Sequence, residues 1–251
     1  MIPKVHVIVL LACFGAAVLS AAETPSSALL VLDKADNSLV IIDPSSKKID
    51  WVLGTGQDRT HMVAVSNDGN KIFTTNVSSA TVSIIERGPQ AGNPGGRGPA
   101  PVDWHVTSIP VGRGAEGFDV SPDGSEMWVA NAQDRTVSII DVAGKNVAQT
   151  LDVSAARTNR LRFTPDGRLA FLSDPGGTDL VVIDRATRKE VKKIAVGRGG
   201  GGIQMVPDGS RAFVALGQDN AVVLVDVKTL TVTGRVSTGR NPDGLAWAVR
   251  K

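Results

Sequence analysis

The sequence predicts an all-β fold: a β-propeller of five blades, each of four antiparallel strands, with a C-terminal strand that closes the first blade. Three observations carry this. A strand ending in an acid recurs as Leu39 to Asp43, Val82 to Glu86, Val137 to Asp141, Leu180 to Asp184 and Val222 to Asp226, so the acids are spaced by 43, 55, 43 and 42 residues. A tight turn recurs as Asp68-Gly69, Asp123-Gly124, Asp166-Gly167 and Asp208-Gly209, and an aromatic follows each glycine by four: Phe73, Trp128, Phe171 and Phe213. No amphipathic helix of useful length follows residue 25, which leaves short strands as the repeating unit. Four strands in roughly 42 residues is the size of one propeller blade.

Taken in order, residues 1–22 read as a signal peptide. Lys4 is a short basic region, Val5 to Leu19 an apolar run, and Ser20-Ala21-Ala22 a small-residue cleavage site before Glu23. At about 15 residues the run falls short of the roughly 20 needed to span a bilayer. The expectation is therefore a periplasmic or secreted protein with no membrane span after cleavage. The single cysteine, Cys13, leaves with that segment, so neither thiolate catalysis nor a cysteine metal site is open to the rest of the chain. Against 25 acidic residues stand 27 basic ones, a balance that gives no nucleic-acid footprint.

Residues 23–251 then form one domain. Its first repeat begins at Ala28 to Asp33 without an inner strand, whereas Asn241-Pro242-Asp243-Gly244 leads into Leu245 to Val249, an inner-type strand without a successor. These complementary defects predict that the last strand completes the first blade and removes two raw sheet edges. The spacing of 55 locates an insertion, residues 87–103, whose Gly/Pro-rich composition reads as a loop on the face opposite the inter-blade links. It is either a tolerated excursion or a docking loop.

The residues Trp128-Val129-Ala130-Asn131, Phe73-Thr74-Thr75-Asn76, the Val-Gly links and Ser-Pro-Asp-Gly resemble the YVTN β-propeller repeat family over nearly the whole chain after the leader. The Gly-His and Trp-Asp signatures of WD blades are absent. The resemblance implies a secreted propeller, some of whose relatives lie near the haem d1 and quinoprotein propellers, and it implies no particular activity.

Candidate site residues come from aligning the links. Gly112-Arg113-Gly114, Gly197-Arg198-Gly199 and Gly239-Arg240-Asn241 share a pattern, with Arg59 and Arg157 near the same place in the other two. Five arginines then ring one mouth of the channel. They are either solvated charges paired with neighbouring acids such as Asp36, Asp134 or Asp219, or a basic mouth for a carboxylate or phosphate. Inner strands open with His61, Gly117, Arg160, Gly202 and Gly244; the glycines predict close approach around the axis, and His61 and Arg160 have room to project into the mouth. Asp33, Asn76, Asn131, Asp174 and Leu216 end the neighbouring strand, and the Asp and Asn side chains serve either as turn acceptors or as oxygen ligands for calcium. Gly197 to Gly202 matches the dinucleotide glycine pattern but precedes a strand rather than a helix.

The reading that follows is an exported, non-catalytic binding scaffold with no cofactor and no metal, whose partner is a protein or a small anionic ligand at the basic mouth. The alternative is a lactonase-like hydrolase, or a redox accessory holding a quinone or haem-type group near His61.

Overall fold

The computed structural model describes residues 28–33, 35–89 and 102–249. The expected leader, residues 1–22, and residues 90–101 of the insertion lie outside the described residues. Every regular element among the described residues is a strand, and the strands form five antiparallel sheets in chain order. The first sheet contains β1 (Leu29–Asp33), β2 (Ser38–Asp43) and β3 (Lys48–Gly54). The second contains β4 (Thr60–Val65), β5 (Lys71–Asn76), β6 (Thr81–Pro89) and β7 (Val102–Pro110). The third runs β8 (Ala115–Val120), β9 (Glu126–Asn131), β10 (Thr136–Asp141) and β11 (Asn146–Asp152). The fourth runs β12 (Leu161–Phe163), β13 (Leu169–Ser173), β14 (Asp179–Asp184) and β15 (Lys189–Ala195), and the fifth β16 (Gly200–Met205), β17 (Arg211–Leu216), β18 (Ala221–Asp226) and β19 (Thr231–Ser237).

The Asp-Gly turn works through its side chains. Asp123 accepts hydrogen bonds from the Ser121 hydroxyl at 2.6 Å and the Ser125 amide at 3.0 Å, while Gly124 takes φ 72°, where a Cβ would be strained. Asp68-Gly69 and Asp166-Gly167 repeat this arrangement, and Asp208-Gly209 keeps the amide bond, from Ser210. Each turn therefore fixes the register of an inner strand against its neighbour, and the alternation beyond it decides which side chains enter the space between blades.

That space is the core. Trp128, Phe73 and Phe171 are fully buried, and Trp128 meets Phe163 of the next blade edge-on with ring centroids 5.3 Å apart. Two clasps hold neighbouring blades, each at its own blade interface. Glu126 of β9 accepts hydrogen bonds from Arg188, from Arg185 Nε at 2.9 Å and from Trp128 Nε1 at 3.1 Å, and Arg188 lies over the Trp128 ring at 5.1 Å. Glu86 likewise joins Lys71 of its own blade to Lys145 of the next. Burial pushes the Glu126 carboxyl up, but the bonds from Arg188, Arg185 and Trp128 outweigh it and hold it at about 2.

Two expectations need correction. The strand assigned to closing the first blade does not form: residues 241–249 carry no strand, and β1 pairs only with β2. The segment instead sits where the inner strand of a next blade would stand beside the fifth. A Cβ on Gly202 would lie 2.1 Å from the Asp243 carbonyl oxygen, just as one on Gly117 would lie 2.0 Å from that of Asn159. Trp247 reaches Phe213 at 6.0 Å, in the manner of Phe163 and Trp128. Lacking a strand beside it, β1 is only partly buried where β9 is almost wholly buried, and Trp247 stays 46% exposed. Whether the last strand meets the first depends on the summed rotation of all the blade interfaces, which a local pattern does not encode. The second correction concerns the expected loop 87–103. The β6–β7 ladder runs on through Arg87↔Trp104 and Gly88↔Asp103 to Pro89↔Val102, because Val102-Asp103-Trp104 can still pair as strand.

Candidate functional site: the channel mouth

The links between blades converge with the inner-strand starts on one face. In the third blade the Arg113 amide donates to Asp134 Oδ2 at 2.7 Å and its Nε to Oδ1 at 2.7 Å. The fifth blade repeats this with Arg198 and Asp219 at 3.0 and 2.9 Å, and Arg235 adds a contact to Asp219 at 3.0 Å. The amide and guanidinium of Arg198, with Arg235, hold the Asp219 carboxyl at about 2. The Arg113 amide and then its side chain likewise lower that of Asp134. Both arginines are thus fastened to the rim by charge-assisted bonds.

Arg59 occupies a different place from Arg113. The Asp58 amide donates to Ser79 Oγ at 2.6 Å, a separation of 21 residues that matches Arg113 with Asp134 and Arg198 with Asp219. Arg59 takes the next position at φ 57°, the left-handed one filled by Gly114 and Gly199 elsewhere, and its amide donates to Asn37 Oδ1 at 2.9 Å. Arg240 is exposed on the corresponding C-terminal link, followed by Asn241 at φ 55°.

Arg160 is the residue that reaches across the mouth. Its Nη1 lies 3.7 Å from Met62 Sδ on β4 and 3.9 Å from Glu116 Oε1 on β8, and its Nη2 lies 3.5 Å from Asp243 Oδ2. Arg157 approaches the other Glu116 oxygen at 3.6 Å. These separations are longer than those at the rim, so the central charges attract one another without being locked. Glu116, Arg160 and Asp243 border a cavity of about 280 Å3 that Asn159, Gly201 and Gln218 also line. Deeper along the inner strands, Asp119 faces Arg162 at 3.3 Å and accepts the Phe163 amide at 2.9 Å; burial raises its carboxyl against the pull of Arg162.

The mechanism that brings Glu116 inward is a β-bulge. The β8–β9 register jumps between Ala115 and Phe118, as the β4–β5 register does between Thr60 and Met62 and the β16–β17 register between Gly200 and Ile203. His61, Glu116 and Gly201 occupy these bulges. Half-buried His61 therefore stands level with Glu116 rather than with Gly117, one residue away from where alignment on the link glycines puts it. Of the three axis glycines, Gly117 and Gly202 make the close approach, while nothing lies within 4 Å of a Cβ at Gly244.

The Asp/Asn positions serve the turns. Asn76 Nδ2 donates to Thr81 and Ser83, both at 3.0 Å; Asn131 Nδ2 donates to Thr136 and Ser138, both at 2.9 Å; Asp174 accepts the Ala156, Arg157 and Gly176 amides. Glu116 and Asp243 are the mouth residues that the sequence reading missed. The available signal was an acid directly preceding each of Gly117 and Gly244.

Comparison with known proteins supports the fold. No family model matches the chain. An uncharacterized WD repeat-containing protein of Synechocystis sp. is 25% identical over 144 residues, which are 57% of this chain and 37% of that protein. The match thus spans little more than a third of the curated relative. Among solved structures, a functionally unknown protein from Desulfotomaculum acetoxidans superposes with TM-score 0.71 at 14% identity, over 85% of this chain and 67% of its own. Kuenenia stuttgartiensis hydrazine synthase gives 0.57 at 16%, over 86% and 85%. A repeat-based, propeller-like fold is what these similarities share.

Proposed function

We propose that the protein is an exported propeller that serves as a binding scaffold, with the channel mouth around Arg160 as its ligand site and Arg157 and Arg160 as the groups that receive an acidic function of the ligand. The observation that carries this is the position of the Arg160 guanidinium, within 4 Å of atoms from β4, β8 and the C-terminal segment at once and bordering the cavity. A planar cation with donors on several edges can exchange such long contacts for a bidentate carboxylate. Arg113 and Arg198 would have to break bonds of 2.7 to 2.9 Å to do the same. The repeat fold and its WD-repeat similarity are in keeping with a scaffold role. A thermal-shift screen of small carboxylic acids, free amino acids among them, tests it, at low and moderate salt. At least one acid is expected to raise Tm saturably in the parent and to lose that effect in Arg160→Gln; a panel without any stabilising acid would reject the reading.

A further inference from the structure

Two cations, Arg157 and Arg160, stand against two carboxylates, Glu116 and Asp243, and of these Arg160, Glu116 and Asp243 line the cavity, which bears on the ligand. We infer that the ligand is a zwitterion: a molecule of the α-amino acid type, whose carboxylate pairs with Arg157 and Arg160 and whose ammonium is received by Glu116 and Asp243. The inference rests on the mouth being the ligand site and names the chemistry it selects.

The balance of charge is what decides. Arg160 is the shared counter-ion of Glu116, at 3.9 Å, and of Asp243, at 3.5 Å, while Arg157 stands 3.6 Å from Glu116. If a simple anion draws Arg160 and Arg157 toward itself, it weakens the attraction that compensates two carboxylates, one of them only 21% exposed, and then faces those carboxylates across the same small cavity. A partly buried carboxylate deprived of its cation is costly, and like charges held close repel. A ligand that brings its own ammonium replaces what it removes, so each of the four side chains keeps an opposite charge. Asn159, in the same wall, adds to the preference. Its amide oxygen is buried without a hydrogen-bond donor, leaving an uncompensated negative end of a dipole beside the cavity.

The shape agrees with a small polar molecule. Gly201 contributes no side chain, and the bulge between Gly200 and Ile203 frees backbone polar groups from the ladder at this level. A cavity of about 280 Å3 suits an amino acid or a peptide terminus better than a bulky aromatic acid.

The test uses the purified full chain and three matched probe sets: glycine, L-glutamate and L-lysine; their Nα-acetyl derivatives, which keep the α-carboxylate and lose the α-ammonium; and their α-methyl esters, which do the reverse. Affinities are measured by isothermal titration calorimetry, with the parent and with Glu116→Gln and Asp243→Asn, whose folding is checked by Tm and far-UV circular dichroism. At least one free amino acid should bind tenfold or more tightly than both of its blocked forms, and each variant should narrow that preference over the N-acetyl form. Equal or tighter binding of the N-acetyl forms would overturn the zwitterion inference while leaving an anion site in place. Failure of all three sets to bind would overturn the zwitterion inference, and with a negative acid screen it would remove the mouth reading too.

Discussion

A Cβ placed on Gly117 would stand 2.0 Å from the carbonyl oxygen of Asn159, so the inner strands of the third and fourth blades meet backbone to backbone with no room for a side chain. This contact sets how near Glu116 and Arg160, one residue along on each strand, come to each other. Gly117→Ala must push two strands apart, and overpacking of that kind costs about 1–3 kcal/mol. Gly239→Ala, with nothing within 4 Å, should stay within about 0.5 kcal/mol of the parent. Urea denaturation of both variants measures the difference; equal midpoints would show that the strands do not meet as described.

The Glu126 clasp predicts a pH dependence. Its carboxyl is held at about 2, below the ordinary 4.5, so the stabilisation it gives is fully present above pH 4.5 and is lost as pH falls toward 2. Glu126→Gln should cost about 2 kcal/mol at pH 7, leaving Arg188 without its anion and Arg185 with Asp123 alone. The gap between parent and variant should close across that acidic window. Denaturant melts at pH 7, 4 and 2.5 check this, and a gap independent of pH would remove the clasp from the account.

The unpaired C-terminal segment predicts fast exchange. Amides of residues 245–249 lie outside any ladder and should exchange within seconds, whereas those of β9, almost wholly buried, should persist for far longer. Hydrogen–deuterium exchange with mass spectrometry reads both regions in one experiment. Protection of residues 245–249 equal to that of β9 would mean that the segment joins a sheet.

Much of the blade was legible in the sequence because its determinants are local. Ser121 to Ser125 encodes a turn through its own side chains, and the apolar run from Val137 to Ile140 encodes a buried strand by composition. The mouth was only half legible. Arg160 could be placed from the repeat, but Glu116 was marked only by its place before Gly117, because a bulge adds a residue to one strand without leaving a mark in the apolar pattern. Arg59 was set level with Arg113 because the glycine that marks the left-handed position elsewhere is replaced there by Arg59 itself, at φ 57°. The aspartates that fasten Arg113 and Arg198 lie 21 residues further on, and only their turn geometry brings them back to the links.

In the proposed site the loosely held Arg160 binds ligand and the fastened rim arginines do not. The most direct measurement is the dissociation constant of the acid that stabilises the parent most, determined by calorimetry for the parent, Arg160→Gln and Arg113→Gln in one buffer. Hydrogen bonds to charged groups are worth about 1.5–3 kcal/mol, so Arg160→Gln should weaken binding at least tenfold. Arg113, already bound to Asp134 at 2.7 Å, should change it less than twofold when replaced. An undiminished affinity in Arg160→Gln, or an equal loss in the two variants, would contradict the account.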